Sequence, residues 1–518
     1  MRTCALLTLS AALLGAAFWA GPMGPCVLFL IAPLLLLVRG RTPGQAFLLG
    51  WLFGSAAWAA AIYWLAGTAA AFLRMPWPLG VLLLGLICAV GGLMGAVMAS
   101  GLRWLGGGYA SSALACAVLL VAIEGYMPAI FPFRFASPLQ AHLPAVQSAE
   151  LFGGAGLAAL VALCNAAVCV LVDSRFKRWG FAACMAALLA GNELYGLLRI
   201  RQVDARLEEL KPRALRVAVL QAAIPIWRKS DPASFRANLE SHAALIDKAL
   251  AGGPVDLVIW PETTYGRDLD YREAWGEPLA PEIAGRPFAE RMAEDAPQRV
   301  PMLMSALART RDPATGGVRT YNVAFLKGAG NEFLGMTAKR LRMPFGEFMP
   351  LGDVFPVLYR WSPRTRRIAK GRAQRLLTTR EGVRLGVLIC YEDLDAEYAR
   401  RYVEAVADVL VNMTNDAWFG RGRAPEQHLR LASLRAVENR RYLLRAVNTG
   451  VSAVVDPAGR IRSRLAGGAR DVLIDDAVPL RGRTPASRLG RWPYRLALLL
   501  LALLALRRAS LAPRVETC

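Results

Sequence analysis

Long apolar runs fill the first 200 residues of the chain, and a polar alternation of short strands and helices replaces them as far as about residue 485. The apolar runs lie at Ala5–Ala20, Cys26–Val38, Ala46–Ala66, Leu79–Met98, Ser111–Ile123, Leu151–Val172 and Phe181–Leu198, with a last one at Leu496–Leu506. A helix needs about 20 residues to cross a bilayer, so the second, fifth and eighth runs are short. Trp492, Tyr494 and Arg495 extend the eighth with aromatic and snorkelling residues suited to a membrane interface. The first run resembles a signal peptide. A second apolar run follows within a few residues, so it is read as an uncleaved span.

In the polar region, Arg216–Gln221 and Val255–Trp260 read as strands around a helix at Ala233–Ala251. A helix at Pro281–Ala296 then precedes strands at Val300–Leu307, Val318–Lys327 and Phe333–Ala338. The central strand is Val383–Ile389, followed by a helix at Glu397–Ala407, a strand at Val409–Met413 and a long helix at Gln427–Arg445. A hairpin of Ser452–Val455 and Gly459–Ser463 closes the region. The expected organisation is seven membrane helices in 1–200, an α/β domain in 201–485, and an eighth helix with a short tail in 486–518. At nearly 300 residues the α/β domain can bury its own core.

Composition agrees with this division. Of the 518 residues 55% are hydrophobic, and the mean hydropathy is +0.35. The net charge of +22 suits either nucleic acid or an anionic bilayer, and the apolar spans decide for the bilayer over nucleic acid. With the N-terminus in the cytoplasm, the inside loops carry Arg39, Arg41, Arg103, Arg175, Lys177, Arg178, Arg507 and Arg508. The short outside loops carry only Arg74 and Arg134. The positive-inside rule then gives eight spans, both termini inside and the large domain outside. Seven of the nine cysteines lie in apolar runs, and the three histidines are far apart, so no CxxC or His-rich site can form and no metal or cofactor is expected. Glu124, at the outer end of the fifth span, is a candidate for an ion pair, and Phe131-Pro132-Phe133 suits the interface. Packing and anchoring are the preferred readings of both.

The chemistry centres on Leu385-Gly386-Val387-Leu388-Ile389-Cys390-Tyr391-Glu392-Asp393, a buried strand that delivers a cysteine and then two carboxylates. Alone, Cys390 reads as a small core residue. Two further polar residues also follow strands: Glu262 after Val258-Ile259-Trp260-Pro261, and Lys339 ahead of Pro344-Phe345-Gly346-Glu347. Strand ends of an α/β sheet converge on the ligand crevice. A carboxylate, an amine and a thiol gathered there form an acyl-transfer site with base, cation and nucleophile, and no histidine is required.

These motifs resemble the nitrilase superfamily in order and spacing. Together with the spans, the whole chain resembles the apolipoprotein N-acyltransferase family, its membrane-embedded branch. Asn412-Met413-Thr414-Asn415-Asp416-Ala417-Trp418-Phe419-Gly420, Gln427-His428-Leu429, Arg435-Ala436-Val437-Glu438-Asn439 and Arg445-Ala446-Val447-Asn448-Thr449-Gly450 extend the match. The resemblance implies a multi-pass α-helical membrane domain plus an α-β-β-α sandwich. It implies Glu262 as general base, Lys339 as oxyanion support and Cys390 as nucleophile, with Glu347, Tyr391 and Glu392 supporting the site. The implied reaction is ping-pong: Cys390 takes an acyl chain from a phospholipid, typically phosphatidylethanolamine, and passes it to the α-amine of a diacylglyceryl-cysteine on an apolipoprotein. It also implies a monomer in the bacterial inner membrane with its catalytic domain in the periplasm.

The chain departs from the family's pattern at Ser230, at Leu341-Arg342-Met343 and at Phe133, none of them in the triad. Alternative readings of single residues stay open: Glu347 as a turn residue, Tyr391 as packing, Asn415 and Asp416 as a turn. The proline-punctuated apolar segment Pro350–Tyr359 reads either as an arm dipping into the bilayer or as a packed loop. Two other functions compete: a membrane-tethered amidase using water as acceptor, and a transporter or lipid binder with an inactive outer domain. The eight spans argue against the first and the intact triad against the second.

Overall fold

A computed structural model describes residues 2–19, 21, 23–73, 76–106, 109–127, 134–229, 231–274, 277–278, 281–311, 316–362, 365–420 and 422–510. Arg74, Phe131-Pro132-Phe133, Ser230 and the tail from 511 lie outside them. The chain divides into two compact units, Met1–Gln202 with Thr484–Cys518, and Val203–Arg483.

In the first unit helix covers each of the eight apolar runs. Four helices, Pro43–Ile62, Trp77–Leu105, Ala149–Asp173 and Trp179–Arg213, are long and apolar enough to cross a membrane. Thr3–Ala17, Gly24–Leu37 and Ser112–Tyr126 are shorter apolar segments. The second run differs from a single expected helix, being broken into Val27–Leu30 and Ala32–Leu37. Pro33 has no N–H to continue the ladder, and Asn165 takes over. Its Oδ1 accepts from Ile31 N at 2.8 Å and Ala32 N at 2.9 Å, and its Nδ2 donates to Val27 O at 3.0 Å. Pro43–Ile62 and Trp77–Leu105 pack through glycines: a Cβ on Gly50 would stand 2.3 Å from Gly95 O. Such close backbone approach is the usual contact of helices in lipid. Glu124 acts as an anchor, its Oε1 accepting from Phe135 N at 2.7 Å. A half-buried ion pair that the sequence does not signal joins Glu150 Oε1 to Arg199 Nε at 2.6 Å.

The second unit holds two large sheets. In the first, Leu215–Gln221 pairs antiparallel with Asp471–Ala477 and parallel with Leu257–Ile259, which pairs parallel with Met302–Arg311. Val318–Lys327 and Phe333–Ala338 continue this sheet antiparallel. The second sheet is built on parallel strands Arg384–Ile389, Val409–Thr414 and Leu443–Val447, with Ala453–Val455 and Ile461–Arg464 at one side. One face of the first sheet packs on the helix Phe235–Ala251 through Leu245, Ile246 and Ala249. One face of the second packs on Ala396–Glu404 and Ala424–Asn439 through Ala399, Val403, Leu429 and Ala432. Residues of the opposite faces, such as Val217, Val219, Val387 and Val411, are fully buried too. Leu215–Gln221 and Leu443–Val447 lie against each other there. Each such side chain removed from water contributes about 1.5–3 kcal/mol before entropy is counted.

Two expectations are corrected. Pro281–Ala296 is not one helix: Glu282–Ile283 and Arg286–Pro287 form a small hairpin, and the helix is Phe288–Asp295. The turn residues Ala284 and Gly285 both take positive φ, which a helix cannot hold. Gln427–Arg445 is likewise a helix ending at Asn439, followed by the strand Leu443–Val447. Arg440 caps that helix in the left-handed region, at φ 48°. Leu443-Leu444-Arg445-Ala446-Val447 is apolar and β-branched only in part, and pairing with Val409–Thr414 decides its state. The strand Asp471–Ala477 lies beyond the hairpin expected to close the domain.

Candidate active site

Lys339 and Cys390 directly follow the strands Phe333–Ala338 and Arg384–Ile389, and Glu262 follows Leu257–Ile259 by way of Trp260-Pro261. The turns that carry the site are strained. Cys390 adopts φ 56°, Thr263 φ 46° and Phe345 φ 64°, all in the left-handed region that non-glycine residues avoid. Strain of this kind costs about 1–3 kcal/mol per residue and persists only where the surroundings over-determine it. Cys390 opens a 3-10 turn, Cys390–Leu394, and is half-buried.

Glu262 and Lys339 are buried, with Lys339 Nζ 3.5 Å from Glu262 Oε1. Glu347 completes this group, its Oε2 2.9 Å from Lys339 Nζ. Asn322 bridges the two carboxylates, its Nδ2 donating to Glu262 Oε1 at 2.8 Å and Glu347 Oε1 at 3.0 Å. Asn322 O also accepts from Lys339 N at 2.8 Å, which fixes the lysine's backbone. Burial pushes the Cys390 thiol well above the usual range; Glu262 raises it further and Lys339 opposes them. Burial alone lowers the Lys339 ammonium, but the carboxylates of Glu347 and Glu262 oppose it and favour the charged amine, and negative charge on Cys390 adds to them when it forms. Burial also disfavours ionised Glu347, yet Lys339, Met343 N–H and Asn322 keep its carboxyl below the usual range. At rest the site therefore holds a protonated lysine and a neutral thiol.

Glu347, Tyr391 and Glu392 all lie near Lys339 or the cysteine turn, each with defined partners. Glu392 ties the cysteine turn to the lysine turn: Oε1 accepts from Arg340 N at 2.7 Å and Leu341 N at 2.9 Å, and Oε2 from Ile389 N at 2.9 Å. Burial pushes its carboxyl up to about 7 against these three donors. Glu347 is both turn residue and site residue, since Oε2 also accepts from Met343 N at 2.9 Å. Tyr391 packs its ring 5.7 Å from Lys339 Nζ and donates its hydroxyl to Arg342 O at 2.6 Å.

Several residues around the site were not singled out in the sequence for what they do. Lys229 donates to Glu262 O at 2.7 Å, and burial pulls its amine down to about 8 against the attraction of Glu262. Beneath the cysteine turn sits a buried cluster of Asp393, Asp416, His428 and Arg445. His428 Nε2 lies 2.9 Å from Asp393 Oδ1 and Nδ1 lies 3.1 Å from Asp416 Oδ1. Arg445 reaches Asp393 Oδ2 at 2.6 Å and Asp416 Oδ2 at 3.0 Å. Asp416 is thus part of this cluster rather than only a turn residue, whereas Asn415 does cap the turn, accepting from Ala417 N at 3.4 Å. Arg445 also donates to Asn412 Oδ1 at 2.6 Å, and Asn412 Nδ2 donates to Cys390 O at 2.8 Å. The parallel register sets Leu388, Asn412 and Arg445 side by side. A lone Asn in Val409-Leu410-Val411-Asn412-Met413 and a lone Arg in Leu443-Leu444-Arg445-Ala446 were the available signals, since a buried polar residue in an apolar strand needs a partner. His242 stacks on Trp260 at 4.2 Å, so neither histidine of this unit is placed as the base of a thiol pair.

Comparisons with known proteins cover both parts of the chain. The family model for the apolipoprotein N-acyltransferase N-terminal domain matches residues 10–167. The model for carbon-nitrogen hydrolase matches residues 216–480. The chain is 30% identical over 485 residues to the apolipoprotein N-acyltransferase of Geobacter metallireducens, covering 89% of this chain and 86% of that one. It is 32% identical to that of Azotobacter vinelandii, covering 95% and 93% of the two chains. For the enzyme of Nitrosomonas europaea the identity is 31%, with 97% and 96% covered. Among solved structures, Saccharomyces cerevisiae Nit3, a member of branch 10 of the nitrilase superfamily, aligns with TM-score 0.38 and 19% identity over 54% of this chain and 94% of that one. On the sequence matches, which run through the apolar helices and the two-sheet unit alike, the chain belongs to the apolipoprotein N-acyltransferase family.

Proposed function

We propose that the protein transfers an acyl chain from a phospholipid to the N-terminal α-amine of a diacylglyceryl-cysteine on apolipoproteins, through a thioester on Cys390. The observation that carries this reading is the meeting of Glu262, Lys339 and Glu347 beside a strained cysteine turn in a chain of this family. Glu262 takes the thiol proton as the sulfur attacks the ester carbonyl of the donor. Lys339 and the backbone N–H of Tyr391 hold the oxyanion. Collapse breaks the ester C–O bond; the departing lysophospholipid alkoxide takes the proton from Glu262, and the acyl chain remains on sulfur. The α-amine then attacks the thioester, loses a proton to Glu262, and the second collapse returns Cys390 as a thiol. A neutral resting thiol suits this sequence, since the nucleophile forms only when base and substrate are both in place.

In this reading the apolar helices make eight spans in a bacterial inner membrane and the two-sheet unit lies on the periplasmic side. The asymmetry of Arg and Lys between short loops supports that orientation. Phosphatidylethanolamine is the expected donor. All six site residues come from one unit of one chain, which suits a monomer. The hydrolytic alternative has less support, because relatives matched over nine-tenths of the chain are N-acyltransferases.

The test is transfer itself. Full-length protein in detergent, given phosphatidylethanolamine and a diacylglyceryl-cysteine peptide, should yield N-acylated peptide and lysophospholipid in equal amounts. Free fatty acid without acylated peptide would show water to be the acceptor and would overturn the reading.

A further inference from the structure

The stretch that follows the site is unusually basic. Residues 354–379 contain seven Lys and Arg and no Asp or Glu. Near its start, Pro356, Val357, Tyr359, Arg360 and Arg367 line an open cavity of 460 Å³. The Arg367 guanidinium lies over the Tyr359 ring, 4.3 Å from its centre, and the Tyr359 hydroxyl accepts from Met349 N at 3.3 Å. A stacked guanidinium keeps its in-plane donors free and aimed, which is how arginine recognises planar or tetrahedral oxyanions. Among the described residues, no carboxylate pairs with Arg360 or Arg367.

The chain just before the cavity, residues 351–357, is largely apolar and exposed, with Asp353 among it. Leu351 is 67% exposed, Val354 68%, Phe355 54% and Val357 46%. An unpaired cationic pocket bordered by exposed aliphatic and aromatic side chains matches a lipid, with an anionic head group and acyl chains, better than a free ion. The pocket is also bonded to the site: Ile368 N donates to Glu347 O at 2.9 Å and Arg366 N to Gly346 O at 3.0 Å. The segment carrying Arg367 is therefore held one residue away from the segment that places Glu347 against Lys339.

We propose that Tyr359, Arg360 and Arg367 form a subsite for the phosphodiester of the donor phospholipid, setting its ester carbonyl against Cys390. This rests on the acyl-transfer reading above. Anionic head groups, such as phosphatidylglycerol, fit the subsite at least as well as zwitterionic ones, because Arg360 and Arg367 outnumber the one nearby acid, Asp353.

The experiment compares two acyl donors on the full-length protein, reading the acyl adduct on Cys390 by intact mass. One donor is phosphatidylglycerol in mixed micelles; the other is a p-nitrophenyl ester of the same fatty acid, which has no phosphate. In the double variant Arg360→Gln/Arg367→Gln the ratio of the phospholipid rate to the ester rate should fall about tenfold, the effect of losing one or two charge-assisted hydrogen bonds. An unchanged ratio overturns the subsite, whether both rates persist or both fall together. A second arm adds inorganic phosphate to the wild type. Inhibition of the phospholipid reaction alone by phosphate, at concentrations comparable to the lipid, would assign the pocket to a free anion and overturn the lipid assignment. Wild-type protein acylated by the ester but by no phospholipid would instead sink the transferase reading itself.

Discussion

Lys339 Nζ stands 2.9 Å from Glu347 Oε2, nearer than the 3.5 Å that separates it from Glu262 Oε1. The lysine's main counter-ion is thus Glu347, which leaves Glu262 less firmly engaged and able to act on a proton. Replacing Glu347 with Gln removes that counter-ion and lets Lys339 turn to Glu262. The predicted outcome is a fall of about 100-fold in the rate of Cys390 acylation, of the order seen when an oxyanion donor is misplaced. Single-turnover kinetics with a phospholipid donor check this. A Glu347→Gln rate within about threefold of wild type would reduce Glu347 to the turn residue that Met343 N also makes it.

Burial and Glu262 hold the Cys390 thiol above its ordinary range, with Lys339 only partly opposing them. The free protein therefore carries little thiolate near neutral pH, and alkylation of Cys390 by iodoacetamide should still be rising at pH 9, without the plateau of a low-pKa cysteine. Because the other thiols are to be removed for this measurement, the rate is followed in a variant whose remaining cysteines are serine or alanine. A plateau below about pH 7 would contradict the picture of a neutral resting thiol. Glu262→Gln should slow the reaction at pH 7.5 if the carboxylate draws the proton; equal rates would remove its role as base.

Much of this geometry was legible in the sequence, for a physical reason. Glu262, Lys339 and Cys390 stand next to apolar strands, and the ends of strands are where such residues converge. Glu392 and Tyr391 follow Cys390 directly, so the turn after the strand places them. Asn322 and Lys229 are another matter. Asn322 lies inside Val318–Lys327, and nothing in its own strand distinguishes an Asn that faces two carboxylates from one that faces water. The fold misread at Gln427–Arg445 has the same origin: helix and strand are both open to Leu443–Val447 until a neighbouring strand supplies the hydrogen bonds. Only with that strand in place does Arg445 meet Asp393 and Asp416.

That cluster makes stability depend on pH. Burial and Arg445 lower the His428 imidazolium, but Asp393 and Asp416 outweigh them and raise it from 6.5 to about 9. A folded pKa above the unfolded one means that the folded protein binds the proton more tightly. The resulting stabilisation is full below about pH 6.5 and is lost as pH rises through about 9, with a limit of order 3 kcal/mol. The thermal midpoint of the detergent-solubilised protein should fall between about pH 7 and 9.5, and His428→Gln should flatten the fall. A His428→Gln profile parallel to wild type would show that His428 is not the titrating group.

Arg445→Leu tests the same cluster from its other cation. Removing the guanidinium leaves Asp393 and Asp416 buried with His428 alone and frees Asn412 from the contact that aims it at Cys390 O. A loss of about 3–5 kcal/mol is expected for an uncompensated buried charge, enough to lower the yield of folded protein sharply. Normal yield with an unchanged thermal midpoint would contradict the account of the cluster.

The central claim is that Cys390 carries the acyl chain. Full-length protein incubated with phosphatidylethanolamine and no acceptor, then measured by intact mass spectrometry, should gain one fatty acyl group. Peptide mapping should place it on Cys390, and a diacylglyceryl-cysteine peptide should discharge it. Absence of the adduct with any phospholipid, or its persistence in Cys390→Ala, would contradict the account.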